Sequence, residues 1–177
     1  VAAAGGGRRL TPAPARTRPK AWATGSAAAM ADRATREGAH TGRKVRSLCA
    51  KAKAPDPGNP STPQVAAVCI YPDMVPAAVD ALKGSTIHVA AVTSAFPSGR
   101  ATMAVKLTDT RDALRAGADE IDMVIDRGAF LSGEYLQVFH EIAAVKAACA
   151  ERSGADGSGA AAHLKVIFET GELVTYD

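Results

Sequence analysis

The sequence offers no metal-ligand cluster, no disulfide framework and no membrane span. Its three cysteines, Cys49, Cys69 and Cys149, are odd in number and widely spaced, with no CxxC pair. Zinc binding and disulfide stapling are therefore not indicated, and free thiols in a reducing compartment, the cytoplasm, are expected. The four histidines, His40, His88, His140 and His163, have no partner at i+2 or i+4, so no metal site is expected either. Apolar runs stay short of the roughly 18 residues a spanning helix needs. Neither GxGxxG nor GxxxxGK[ST] occurs, so no dinucleotide or P-loop phosphate cradle follows from any strand-to-helix turn. Aromatic residues make up only 5% of the chain, and none interleave with its basic residues as a nucleic-acid surface would require. No cofactor, nucleic acid or membrane partner is expected.

Hydrophobic residues account for 47% of the chain, and much of that is alanine, as in tightly packed α/β layers. Charge is distributed unevenly. Residues 1–60 hold 12 Lys/Arg against 3 Asp/Glu, and residues 61–177 hold 9 against 15. A solvated basic leader accounts for the first part, and residues 1–27, rich in Ala, Gly, Pro and Arg, are expected to be disordered. They lack the apolar stretch of a secretory signal. Residues 28–177 are expected to form one domain. Val1 at the start, and Asp177 with no closing element after it, read as cut ends.

Along that domain, short apolar runs alternate with amphipathic segments. Arg43–Lys53 carries Val45, Leu48 and Cys49 on one helical stripe. The stretch APDPGNPSTP holds four prolines and must be a loop. Val65–Tyr71 (VAAVCIY) reads as a parallel strand covered on both faces. Asp73 is placed to cap the next helix, with Val75, Val79 and Leu82 on its apolar face, and Gly84 ends it. Further strands are expected at Ile87–Phe96, Asp119–Asp126 and His163–Thr170. Between them lie helices with Leu107, Thr110 and Leu114, closing at Gly117, and with Val138, Ile142, Val145 and Cys149 in register. Repeated strand–helix units with right-handed crossovers give a doubly wound sheet or a β/α barrel, and the missing nucleotide fingerprints favour the barrel.

Two strands carry charges that burial between two apolar layers does not tolerate. In DEIDMVID, Ile121, Met123 and Ile125 share one face and Glu120, Asp122, Val124 and Asp126 the other. In HLKVIFET, Leu164, Val166 and Phe168 oppose Lys165, Ile167 and Glu169. With the apolar faces against helices, Asp122 and Lys165 are expected to meet inside the barrel, where a paired acid and amine can move protons at a carbonyl carbon. A merely structural ion pair is the rival explanation. Glu120 and Asp126, near strand ends, are expected to be solvated. Cys69 has inward parity with Ala67 and Tyr71, and a small buried hydrophobe explains it as well as a substrate contact does. The PSGR turn offers the Gly99 amide and Arg100 to an anion, although an ordinary loop turn accounts for the same residues.

The segments VAAVCIYPDMV, VAAVTSAFPSG, GADEIDMVIDRGAFLSG and HLKVIFETGEL resemble, in order and spacing, deoxyribose-phosphate aldolase, over about Lys20 to Asp177. KVRSLCAKAKAPDP is similar to that family's first helix and loop. The resemblance implies a (β/α)₈ TIM barrel of which only about the first five βα units are present. It implies reversible cleavage of 2-deoxy-D-ribose 5-phosphate to D-glyceraldehyde 3-phosphate and acetaldehyde through a lysine Schiff base, without metal. It assigns Asp122 to the proton relay, Lys165 as a second active-site lysine, and Cys69 and Asp32 to the neighbourhood of the substrate. The implied partners are a small phosphorylated sugar and, in the full-length family member, a second copy forming a homodimer.

Three departures from the family pattern stand out. The FIKTSTGK-like segment that carries the family's Schiff-base lysine does not occur, and neither does the later KPAGG-like strand. Where the first strand usually reads LxDLTxL, this chain has MADRATREG (Met30–Gly38), with Arg33 and Ala34 in place of an apolar residue and a threonine. A frayed first strand is the expectation. Lys165 is not expected to replace the nucleophile, because Asp122 would hold its amine protonated. The alternative to an aldolase is a non-catalytic fragment that acts, if at all, by associating with another chain.

Overall fold

The computed structural model describes residues 32–34, 41–153 and 160–173. Expectations for the leader lie outside the described residues.

Five parallel strands stand side by side in chain order: β1 (Asp32–Ala34), β2 (Ala67–Ile70), β3 (His88–Thr93), β4 (Glu120–Val124) and β5 (His163–Ile167). Each strand is hydrogen-bonded to the one that follows it in sequence. Unlike a doubly wound sheet, this order never reverses, so its crossover helices collect on a single face. The helices are α1 (Gly42–Lys53), α2 (Val75–Leu82), α3 (Met103–Arg115), a short α4 (Arg127–Leu131) and α5 (Tyr135–Ala150). The frayed-strand expectation is corrected in part: a three-residue β1 forms, with Asp32 opposite Ala67 and Ala34 opposite Cys69.

Alternation along the strands divides the sheet into two chemically different faces. Val68 and Ile70, Val89 and Ala91, and Ile121 and Met123 join one large core with Val45 and Cys49 of α1, Val75 and Leu82 of α2, Leu114 of α3 and Val145 and Cys149 of α5. Burying each larger aliphatic chain stabilises the fold by about 1.5–3 kcal/mol. The opposite face is a smaller cluster of Ala67, Cys69, Ala90 and Val92, flanked by Tyr71, Phe96 and Ile167. Its alanines leave room for long charged side chains from neighbouring strands.

Helix boundaries follow local chemistry. Thr41 caps α1 and Thr102 caps α3, each accepting from the amide three residues on. Gly84 and Gly117 adopt positive φ after α2 and α3, as expected of helix-ending glycines. Asp73 does not cap α2: a 3₁₀ turn, Pro72–Met74, leads directly into that helix, which has no side-chain cap. Gly99 has φ +71°, and a Cβ there would lie 2.0 Å from the Ile125 carbonyl oxygen, so the loop after β3 packs directly on the end of β4.

Two packing expectations are corrected. The buried stripe of α3 runs through Lys106, Thr110, Ala113 and Leu114, with Leu107 only at its margin. Lys106 Nζ lies 2.7 Å from Glu141 Oε2 of α5, and the lysine is fully buried. Phe168, expected on the helix-facing side of β5, instead lies beyond the strand and is 53% exposed.

Candidate active site

The candidate site occupies the face of the sheet turned away from the helices. Val92 of β3, Asp122 of β4 and Lys165 of β5 lie level with one another in the strand register. Because alternate residues share a face, fixing Ile121 and Met123 in the helix-side core directs Asp122 to the opposite side. The same logic on β5 places Leu164 and Val166 against the helices and Lys165 beside Asp122.

The structure brings three of the expected residues together. Lys165 Nζ stands 3.2 Å from Asp122 Oδ1. The Cys69 thiol donates to Asp122 Oδ2 across 3.0 Å, reaching from β2 past the small Ala90 of β3. Asp122 is buried, and its Oδ1 accepts no well-directed hydrogen bond among the described residues, although the ammonium lies close enough for ion pairing. A carboxylate with one oxygen so engaged keeps acceptor capacity for a proton donor in the barrel. The fourth expected residue, Asp32, lies on β1 opposite Ala67; its side chain falls outside what the structure describes.

Glu120 corrects the expectation that it is solvated. Its side chain is only 13% exposed, with Oε2 2.9 Å from Lys165 Nζ and Oε1 2.8 Å from His88 Nδ1. Burial pushes the Glu120 carboxyl up, but hydrogen bonds and charge from His88 and Lys165 outweigh it and hold the carboxyl below its usual range. The signal was in the sequence: Glu120 shares the parity of Asp122. Proximity to a strand end concealed it.

The other sequence candidates take structural places. Asp126 caps α4, accepting from the Ala129 amide at 3.0 Å. The Gly99 amide donates to the Ala95 carbonyl and the Arg100 amide to Ser98 Oγ, so the PSGR segment spends these donors on its own turn. At the end of β3, Asp109 accepts from the Ser94 amide at 2.9 Å. Burial pushes the Asp109 carboxyl above its usual range, despite hydrogen bonds from the Ser94 and Ala95 amides.

The family model for DeoC/LacD aldolases matches residues 26–153, from before β1 to the end of α5. The chain belongs to this aldolase family. It is 38% identical to human deoxyribose-phosphate aldolase over 158 residues, covering 81% of this chain and 45% of the human one. The mouse enzyme is likewise 38% identical, over 155 residues. A Coccidioides immitis protein assigned as a deoxyribose-phosphate aldolase superposes with a TM-score of 0.69 at 31% identity, covering 82% of this chain and 50% of that one. The tetrameric deoxyribose phosphate aldolase of Aeropyrum pernix shares the fold, with a TM-score of 0.61 at 23% identity. The chain thus spans about half the length of the relatives it matches. Its five parallel strands and the helices that connect them correspond to part of the TIM barrel of this aldolase family.

Proposed function

We propose that this chain carries the proton-transfer part of a deoxyribose-phosphate aldolase site, with Asp122 and Lys165 as its working groups. The observation that carries the reading is the buried Asp122 carboxylate, held between the Lys165 ammonium at 3.2 Å and the Cys69 thiol at 3.0 Å on the inner face of a family barrel. Helix packing does not need these charges, and a buried ion pair seldom repays its desolvation.

In this reading a lysine amine outside the 177 residues attacks the aldehyde of 2-deoxy-D-ribose 5-phosphate, and the resulting iminium accepts the electron pair of the breaking carbon–carbon bond. D-Glyceraldehyde 3-phosphate leaves, and the enamine is then protonated and hydrolysed to release acetaldehyde. Asp122 takes and returns protons as the carbinolamine forms and collapses, with the Lys165 ammonium beside it at 3.2 Å. Cys69 fixes the orientation of the carboxylate and borders the substrate. Asp32 contributes from β1. The reaction needs no metal or cofactor, and the cytoplasm suits three cysteines that form no disulfide with one another.

A second reading, in which the chain works only by associating with another chain, is favoured by one surface. Tyr135, Leu136 and Phe139 of α5 are each more than 60% exposed, and β5 ends the sheet among the described residues. Borohydride reduction in the presence of acetaldehyde separates the possibilities. The 177 residues alone are expected to form no adduct, and the same residues fused to the complementary part of a family barrel are expected to form one and to cleave the sugar phosphate. A reduced adduct on Lys165 of the 177-residue chain contradicts the assignment of Lys165 to proton transfer. A correctly folded fusion without cleavage favours the associating fragment.

A further inference from the structure

Asp122 and Lys165 are one part of a longer chain of contacts. Glu120 Oε2 approaches Lys165 Nζ to 2.9 Å, closer than the 3.2 Å of Asp122 Oδ1. The other oxygen of Glu120 contacts His88 Nδ1 at 2.8 Å, and His88 has 58% of its side chain exposed. Glu120 and Asp122 are two residues apart on β4, so both project from the same face, one residue pair nearer the N-terminal end of the strand for Glu120. The ammonium is therefore gripped by two carboxylates from one strand, and the grip reaches solvent through an imidazole on β3.

Stability alone gives a poor account of this arrangement. A single carboxylate neutralises a lysine, and placing a second one within reach adds carboxylate–carboxylate repulsion and further desolvation. A lysine that must remain charged and in one place beside a proton-transfer group does gain from two anionic partners. A lone partner would lose its hold each time Asp122 took up a proton; Glu120 does not.

We propose that Glu120 is the positioning residue that keeps the Lys165 ammonium beside Asp122, with His88 anchoring Glu120 at the base of the barrel. The proposal rests on the reading of Asp122 and Lys165 as proton-transfer groups, but the clamp itself can be tested without catalysis. Among the described residues, charged and titratable groups facing it include His88 on β3, Asp122 on β4 and Lys165 on β5, with Cys69 on β2 bonded to Asp122. His163, level with Glu120 on β5, is exposed.

Competitive acetylation of the 177-residue chain with acetic anhydride, read by mass spectrometry on the peptide carrying Lys165 across a pH series, measures how firmly that amine is held as ammonium. Glu120→Gln removes one anion. Acetylation of Lys165 near pH 8 is expected to rise about tenfold, because one of the anions favouring the ammonium is gone. Exposed Lys83, paired with Asp80, serves as the internal reference and is expected to be unchanged. His88→Ala frees Glu120 without removing its charge, and a rise of about twofold to fourfold is expected, converting to less than 1 kcal/mol. A folded Glu120→Gln chain whose Lys165 profile superposes on the parent overturns the proposal. If that variant does not fold, Glu120→Asp, which withdraws the carboxylate by one methylene, decides it: a raised profile supports the clamp and an unchanged profile overturns it. Loss of aldolase activity in the fusion with an intact Lys165 profile would defeat the proposed function and leave the clamp standing.

Discussion

Cys69 and Asp122 lie 53 residues apart in sequence and two strands apart in the sheet, yet the thiol donates directly to the carboxylate at 3.0 Å. Ala90, level with Cys69 on the intervening strand and buried in the same cluster, carries only a methyl group. The thiol is thus held beside an anion. Asp122→Asn removes the charge that opposes thiolate formation, so Cys69 is expected to react roughly three- to tenfold faster with iodoacetamide at neutral pH. Mass-spectrometric alkylation rates check this, with buried Cys149 as the internal reference.

Gly99 and Gly84 both adopt positive φ, but only one is sterically trapped. A Cβ at Gly99 would meet the Ile125 carbonyl at 2.0 Å, whereas nothing lies within 4 Å of one at Gly84. Gly84→Ala is expected to cost about 1 kcal/mol, the backbone penalty alone. Gly99→Ala should cost about 3 kcal/mol or more, because the loop after β3 must lift from β4. Urea denaturation of the two variants measures the difference.

Lys106 and Glu141 form a buried pair between α3 and α5, and Gln137 also donates to Glu141 at 3.3 Å. Removing one charge leaves the other buried and uncompensated. Lys106→Met alone is expected to cost about 3–5 kcal/mol. Lys106→Met with Glu141→Leu should recover most of that loss, and a double-mutant cycle in denaturant gives the coupling directly.

Glu120 makes stability depend on pH with a defined sign. Its carboxyl is held below the usual range in the folded chain, so its contribution is present above the unfolded value, about 4.5. That contribution is lost as pH falls through the lower folded value. Glu120→Gln is therefore expected to flatten the acid limb of the stability–pH curve below about pH 4.5. Thermal melts at closely spaced pH values report it.

The legible parts of the fold were those written in strand alternation and in glycine position. Four of the five strands were legible as short apolar runs, β1 only through the family resemblance, and the inward parity of Cys69, Asp122 and Lys165 follows from the alternation that sets Val68, Ile121 and Leu164 against the helices. Lys106 was not legible, because a lysine in a helix reads as solvated unless its partner on another helix is known, and Glu141 is 35 residues away. Glu120 was misplaced for a related reason. Closeness to a strand end predicts hydration, but His88 and Lys165, on the two flanking strands, close over it. Asp73 had the right chemistry for a cap, and the 3₁₀ turn at Pro72–Met74 left it no helix start to cap.

Cleavage of 2-deoxy-D-ribose 5-phosphate by residues 28–177 fused to the complementary part of a family barrel tests the central claim most directly. The fusion should cleave the sugar phosphate, and Asp122→Asn should lower kcat by about 10²–10⁴-fold with little change in KM, the range expected for a proton-transfer group. An Asp122→Asn fusion that cleaves at the parent rate would contradict the account.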